Sequence, residues 1–144
     1  MREHGLGRVV YFPWDIDRVF WEVLSPDHLL LMRNAVNWTN REAPPVTVEG
    51  SGVLDVTHWR QKDSITLHLV NLTNPMMMKG PVRELIPVGK QKIRVALPGN
   101  AKPRKVHLLA GGKTVPYKIS GNALELIVTE ILDHEVVAID LVKS

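Results

Sequence analysis

Cysteine is absent from this chain of 144 residues. Its absence excludes a disulfide framework, a thiolate metal site and a cysteine nucleophile. Long apolar runs are also missing, since none approaches the roughly 18 to 20 residues that a membrane-spanning helix needs. The first residues, MREHGLGRVV, contain no apolar stretch followed by a small-residue cleavage site, so we expect no export signal. These features predict a cytoplasmic protein with no membrane partner.

Positive charge is concentrated in one segment of the chain. Residues 79–118 contain ten Lys or Arg and one acid, which gives +9, and the remainder contains eight basic and fourteen acidic residues, which gives −6 and a total of +3. The charges alternate with apolar residues, as in Lys92-Ile93-Arg94-Val95, which is typical of solvated strand faces. A surface for an acidic partner is the alternative. We expect no nucleic-acid partner, because Tyr117 is the one aromatic residue in the segment.

The first 43 residues predict a strand followed by helices. Arg8 to Phe12 is a short β-branched and aromatic run that Pro13 ends. Ser25, followed by Pro26 and Asp27, predicts the N-cap and first turn of a helix that ends near Asn40. A shorter helix is expected from Asp15 to Val23. This segment holds more large aromatic side chains than it can bury by itself, so we expect it to pack on the sandwich or on another chain.

After Pro44-Pro45 the pattern becomes that of an all-β domain. Short runs of strand-forming residues recur at a spacing of roughly 8 to 12 residues, separated by turns rich in Gly, Pro and Asn. The runs are 46–48, 52–60, 64–72, 82–87, 92–97, 105–109, 114–119, 123–129 and 135–142. The prediction is a mainly β fold: an antiparallel β-sandwich over residues 44–144, preceded by a short strand–helix segment over residues 1–43.

Metal and nucleophile chemistry find little support in the sequence. The six histidines lack metalloprotease spacing, and no G-x-S-x-G motif is present. Gly111-Gly112-Lys113-Thr114 lacks the first glycine of a phosphate loop and precedes a strand, so it predicts a hairpin turn. We therefore expect no metal, no cofactor and no catalytic residue.

One acidic cluster lies beside aromatic residues. Asp15 and Asp17 follow Trp14 and precede Trp21, and carboxylates beside aromatic rings are typical of sugar-processing sites. The alternative is that Asp15 caps a helix, Asp17 occupies its first turn and Arg18 pairs locally. The capped helix is the favoured interpretation, with the cluster near an interface.

Three long strings carry a resemblance to a known family. They are GRVVYFPWDIDRVFWEVLSPDHLLLMRNAVNWT, PPVTVEGSGVLDVTHWRQKDSITLHLVNLTNPMMMKGPVRELIPVG and ILDHEVVAIDL. Together they resemble the C-terminal part of large bacterial proteins of the glycoside hydrolase class. In those proteins a TIM-barrel-type catalytic domain precedes a β-galactosidase trimerisation-like domain and a terminal β-sandwich. The resemblance runs from Gly7 to Leu141.

The resemblance implies a chain without its own catalytic centre. Residues 1–43 would be the remnant of the α/β trimerisation-like domain, and residues 44–144 the terminal sandwich. Two functions follow: an accessory domain that self-associates into a homo-oligomer, or a carbohydrate-binding module that uses exposed tryptophans. The residues expected at a carbohydrate or subunit contact are Phe12, Trp14, Asp15, Asp17, Trp21 and Trp59. Met76, Met77 and Met78 are expected to pack at the junction between the two domains.

Overall fold

A computed structural model describes residues 1–23, 25–73, 81, 83–99 and 101–142. The chain divides into two compact units, Met1–Pro44 and Pro45–Ser144. The first holds a small hairpin and two helices, and the second holds two antiparallel sheets. The prediction of a mainly β fold with an antiparallel sandwich is therefore confirmed.

The N-terminal unit begins with a hairpin in place of the single strand predicted over Arg8 to Phe12. Strand β1 (Arg2–His4) pairs antiparallel with β2 (Gly7–Val9), so the prediction of a strand through Phe12 is wrong. The cause lies in the turn, because Gly5 has a φ of 57° and supplies the left-handed conformation that a two-residue hairpin turn needs.

Two helices follow the hairpin, close to their predicted positions. Helix α1 spans Ile16–Val23 and α2 spans Pro26–Thr39. Pro26 stands at the start of α2, where its missing N–H costs no hydrogen bond. Ser25 occupies the N-cap position with extended backbone, but its side chain makes no capping hydrogen bond. The position of the cap is confirmed, and its expected side-chain bond is not formed.

In the second unit, the residues that the structure describes form nine strands in two sheets. The four-stranded sheet has the order β3-β6-β10-β9, and the five-stranded sheet has the order β4-β5-β11-β7-β8. In chain order the strands are β3 (Val46–Glu49), β4 (Leu54–Arg60), β5 (Ser64–Asn71), β6 (Gln91–Ala96), β7 (Pro103–Leu108), β8 (Lys113–Thr114), β9 (Tyr117–Ser120), β10 (Ala123–Val128) and β11 (His134–Leu141).

The core lies between these two sheets and follows the alternation of each strand. In β5 the inward residues Ile65, Leu67 and Leu69 are buried, while the residues between them are half-buried. Inward residues of the other sheet, such as Val95 and Leu124, join them in one apolar cluster. Burial of large aliphatic side chains contributes about 1.5–3 kcal/mol each, so this cluster is the main source of stability.

Two predicted strands differ from the structure. The run 114–119 is split, because β8 belongs to the five-stranded sheet and β9 to the four-stranded sheet. Pro116 lies between them and has no N–H to continue a ladder. The described residues 83–87 form no strand, and the chain there makes one isolated bridge between Val88 and Ile131. Pro87 explains this break in the same way.

Two polar side chains, the half-buried Asn71 and the buried Gln91, hold the connections to the sheets. The Asn71 amide donates to the carbonyls of Ile86 and Leu132, both at 2.8 Å. Gln91, which is buried at the start of β6, donates to the carbonyls of Ser51 and Gly89. These bonds satisfy backbone acceptors of loops that belong to no ladder, as buried carbonyls require.

Candidate functional site

The acidic and aromatic cluster of the N-terminal unit lies at the start of α1. Phe12 is half-buried and meets Trp14 edge to face, with ring centroids 5.7 Å apart. The Asp15 carbonyl accepts the N–H of Val19, which places Asp15 at the N-cap, and Asp17 lies in the first turn. Both carboxylates are exposed to solvent. The geometry is that of an acidic helix start, in which negative charge favours the helix dipole.

Arg18 does not pair with either aspartate in the described contacts. Its Nε donates to Glu22 at 2.9 Å, one helical turn further on, and both side chains are more than half exposed. Such a pair contributes about 0.3–0.5 kcal/mol to a helix. The two aspartates therefore face water and not a shielded pocket of the kind in which carboxylates acquire acid–base roles.

Trp21 lies on α1 and is one of several exposed apolar residues on or beside the two helices, which together we call the α1–α2 surface. Trp14 is 51% exposed and Trp21 is 62% exposed. The other large apolar residues exposed on the two helices are Val23, Leu29, Leu30, Leu31 and Val36. Among the described residues of this unit, Ile16 is the one apolar side chain that is buried.

Arg8 joins the hairpin to the end of α2. Its Nη1 donates to the carbonyl of Trp38 at 2.9 Å, and its guanidinium lies 5.1 Å from the centroid of the Trp38 ring. Its Nε also pairs with Glu3 on β1. One cation thus satisfies a helix C-terminal carbonyl, covers an aromatic face and anchors the neighbouring strand. The N-terminal unit is held together by polar contacts as much as by an apolar core.

Trp59 belongs to the sandwich and is 61% exposed. It lies on the outward face of the edge strand β4, on the same side as Asp55 and Thr57, and pairs across the ladder with Thr66 of β5. An exposed aromatic ring on a rigid sheet is able to stack on the apolar face of a sugar. Of the predicted contact residues, the structure brings Phe12 and Trp14 together and places Trp59 in the other unit.

Two histidines meet on the same outward face as Trp59. The His68 Nδ1 and the His134 Nε2 lie 3.3 Å apart, and the two rings are nearly parallel. A hydrogen bond between them requires one nitrogen to donate and the other to accept. Within the described part of the chain, no group of three His, Asp or Glu side chains is arranged to hold a metal ion.

The methionines predicted at the domain junction lie outside the described residues. Met76, Met77 and Met78 fall within 74–80. Their packing stays a prediction.

No helix in the described ranges has the length and apolar character that a membrane crossing requires.

Sequence reasoning missed a structural carboxylate and a groove that charged side chains line. Glu135, predicted at the start of the last strand, is buried and accepts the N–H groups of Ala110 and Gly111. The signal for it was an acid at the start of an otherwise continuous apolar run in β11. Lys92 and Arg94 were correctly placed on a strand face, but they also line a groove of about 500 Å³ on the four-stranded sheet.

Comparison with known proteins adds one finding about the fold. No protein-family model matches this chain, and no curated protein matches it. Among solved structures, the chain is similar to alpha-L-fucosidase isoenzyme 2 from Paenibacillus thiaminolyticus, with a TM-score of 0.71 and 16% identity over 90% of this chain. The chain spans 20% of the length of that fucosidase. The similarity shows the fold alone: a domain of this architecture occurs as one portion of a glycoside hydrolase.

Proposed function

We propose that this chain is a non-catalytic accessory β-sandwich of a glycoside-hydrolase-like protein and that its N-terminal unit joins copies of the chain into a homo-oligomer. In this proposal the N-terminal unit represents the end of an α/β trimerisation-like domain. The match to one fifth of a fucosidase chain supports the accessory role. The exposed carboxylates of Asp15 and Asp17 support the absence of catalysis in this unit.

The observation that carries the assembly role is the distribution of apolar residues around α2. Met32 and Ala35 are half-buried on one face, while Leu29, Leu30 and Leu31 are exposed in succession, so apolar side chains reach solvent on more than one side of the helix. Several large apolar side chains exposed on one short element are typical of a protein contact. Helices shorter than about 12–15 residues are also marginal in water by themselves.

We propose a second copy of the chain as the cover, because the leucines exposed on α2 are the same on every copy. A two-fold contact between α1–α2 surfaces would cover the same leucines on both copies at once, because such an interface is self-complementary.

Sedimentation velocity over the micromolar range tests this role. The wild-type chain is expected to sediment as an oligomer and Leu30→Glu as a monomer, because a buried unpaired charge costs several kcal/mol. Leu132→Glu is the matched control, since Leu132 is similarly exposed but lies on the sandwich. It is expected to remain oligomeric. A wild-type chain that is monomeric throughout this range contradicts the proposal, as does dissociation by Leu132→Glu alone.

The second candidate function is carbohydrate binding through exposed tryptophan, and the exposure of Trp59 favours it. Trp14 and Trp21 are equally exposed, but their neighbours on the α1–α2 surface fit a protein contact as well as a sugar. A glycan array probed with the wild-type chain and with Trp59→Ala tests it. Binding that Trp59→Ala abolishes supports this function, and an array without signal contradicts it.

A further inference from the structure

The four-stranded sheet carries a groove on its outward face, on the side away from the core. Its volume of about 500 Å³ lies within the range of roughly 300–1,000 Å³ that is typical of small-molecule sites. Strands β6 and β10 form its floor, and β3 and β9 border it. The side chains that matter for its chemistry are Glu49, Lys92, Arg94, Lys118, Glu125 and Ile127.

Strand register places opposite charges side by side in this groove. In one row Arg94 lies opposite Glu125, which in turn lies opposite Lys118. In the next row Glu49 lies opposite Lys92, which lies opposite Ile127. Three cations and two carboxylates leave a net charge of +1 in the groove. Donors and acceptors therefore alternate at the strand separation of about 4.8 Å.

The central ion pair leaves most of its hydrogen-bonding capacity free. The Arg94 Nε and the Glu125 Oε1 are 3.7 Å apart, which is longer than the roughly 2.7–2.9 Å of a charge-assisted hydrogen bond. The two side chains are 51% and 46% exposed. A guanidinium has five N–H donors and a carboxylate has about four acceptor positions, so both groups are able to bind a ligand in the groove.

An apolar patch lies within this charged lattice. Ile127 is 41% exposed at the end of the row that holds Glu49 and Lys92, and Pro116 and Tyr117 border the groove at β9. An exposed isoleucine side chain makes no hydrogen bonds to water, but it is able to pack against the C–H face of a sugar ring. Phosphate and nucleic acid favour surfaces of one positive sign, and Glu49 and Glu125 oppose such ligands.

We propose that this groove binds a neutral oligosaccharide. Arg94 and Lys92 donate to hydroxyl oxygens, Glu125 accepts from hydroxyl protons, and Ile127 packs against the ring. Each sugar hydroxyl both donates and accepts hydrogen bonds. A ligand with pairs of hydroxyls therefore accepts from the cations of the groove and donates to its carboxylates, and it brings no charge of its own. The proposal stands apart from self-association and from Trp59, which lies on the other sheet.

Titration of the ¹⁵N-labelled chain with neutral trisaccharides tests the proposal. The probes are cellotriose, xylotriose, maltotriose, galactotriose and fucosyllactose, with trigalacturonate as an acidic comparison. At least one neutral probe is expected to shift the amide signals of Lys92, Arg94 and Glu125 in a saturable manner. Absence of such shifts with every neutral probe at tens of millimolar overturns the proposal, and so do shifts confined to trigalacturonate.

Matched variants locate the binding. Arg94→Ala and Glu125→Ala are each expected to weaken it by about tenfold or more, because each removes a charged hydrogen-bonding group. Arg104→Ala is the control, since Arg104 is an exposed cation on the other sheet whose contact to Asp140 is similarly long at 3.8 Å. It is expected to bind normally, as is Trp59→Ala. Binding lost in Trp59→Ala and unchanged in Arg94→Ala overturns the groove and supports the tryptophan site.

Discussion

Removing the carboxylate of Glu135 is expected to destabilise the sandwich, because this side chain ties β11 to the turn between β7 and β8. Its Oε1 accepts the N–H of Ala110 and its Oε2 accepts the N–H of Gly111, both at 3.0 Å. Oε1 also accepts the adjacent N–H of Val136 at 2.8 Å. The residue is 6% exposed, so bulk water has little access to it.

The magnitude follows from the two bonds that reach the turn. A hydrogen bond to a charged group contributes about 1.5–3 kcal/mol, which gives about 3–6 kcal/mol for two. Ala110 and Gly111 are exposed, so water replaces part of what their N–H groups lose, and we expect about 3 kcal/mol for Glu135→Ala. Glu135→Gln keeps one acceptor oxygen but turns an amide N–H toward the second donor, so about half of that loss is expected.

Urea denaturation followed by circular dichroism measures the effect. With a slope of about 2 kcal/mol per molar, the midpoint is expected to fall by about 1.5 M for Glu135→Ala and about 0.8 M for Glu135→Gln. Glu130→Ala, which removes an exposed carboxylate from the loop before β11, is expected to change the urea midpoint by less than about 0.3 M. Equal midpoints for Glu135→Ala and Glu130→Ala would refute the reasoning.

Two further pairs of variants test the packing of the sandwich. Leu67→Ala removes a fully buried side chain and is expected to lower the free energy of unfolding by about 2–5 kcal/mol, whereas Leu132→Ala, at a half-exposed position, should cost less than about 1 kcal/mol in the same urea titration. Gly52 and Gly99 both have positive φ, but a Cβ on Gly52 collides with Val88 while one on Gly99 meets open space. Thermal unfolding is expected to show a free energy of unfolding about 1–2 kcal/mol lower for Gly99→Ala, because the left-handed backbone strains a side chain there. For Gly52→Ala we expect a further decrease of about 1–3 kcal/mol from the collision. Equal decreases would show that backbone strain alone matters at both positions.

Much of the strand pattern could be predicted from the sequence because each strand has one buried face. The alternation of Ile65, Leu67 and Leu69 with half-buried neighbours specifies both the strand and its inward face. The hairpin turn at Gly111-Gly112 was also predictable, because glycine is the residue that most readily adopts the left-handed backbone of such turns. Gly112 has a φ of 60°, which other residues rarely adopt. Pro26 marked the start of α2 for an equally local reason.

The wrong predictions arose where a pairing partner decided the outcome. Residues 8–12 have high strand propensity, but the hairpin with β1 ends at Val9, and the residues beyond it have no neighbouring strand in the described structure. In 114–119 the two halves separate into different sheets, because Pro116 interrupts the ladder. Strand propensity is a property of one segment, whereas a strand forms only when a second segment pairs with it.

For the candidate sites too, the sequence identified residue types, whereas tertiary contacts decided their exposure and their neighbours. The sequence identified Trp14, Trp21 and Trp59 as possible contact residues, but their exposure depends on what packs around them and was left open. The groove could not be predicted, because Glu49, Arg94 and Glu125 are far apart in sequence and meet only through the register of three strands. A run of alternating charges predicts a solvated face and contains no information about its curvature or its neighbours.

The sequence by itself determined local features: the two helices, most strands and the side of β5 that faces the core. These depend on backbone preferences and on periods of 3.6 or 2 residues, which neighbouring residues encode. Tertiary structure alone decided which strands pair, how Glu135 reaches the turn at Ala110, and where opposite charges meet to form a groove. The contacts of Glu135 join residues 24 and 25 positions apart, and they depend on how two sheets close over one core, which no local pattern specifies.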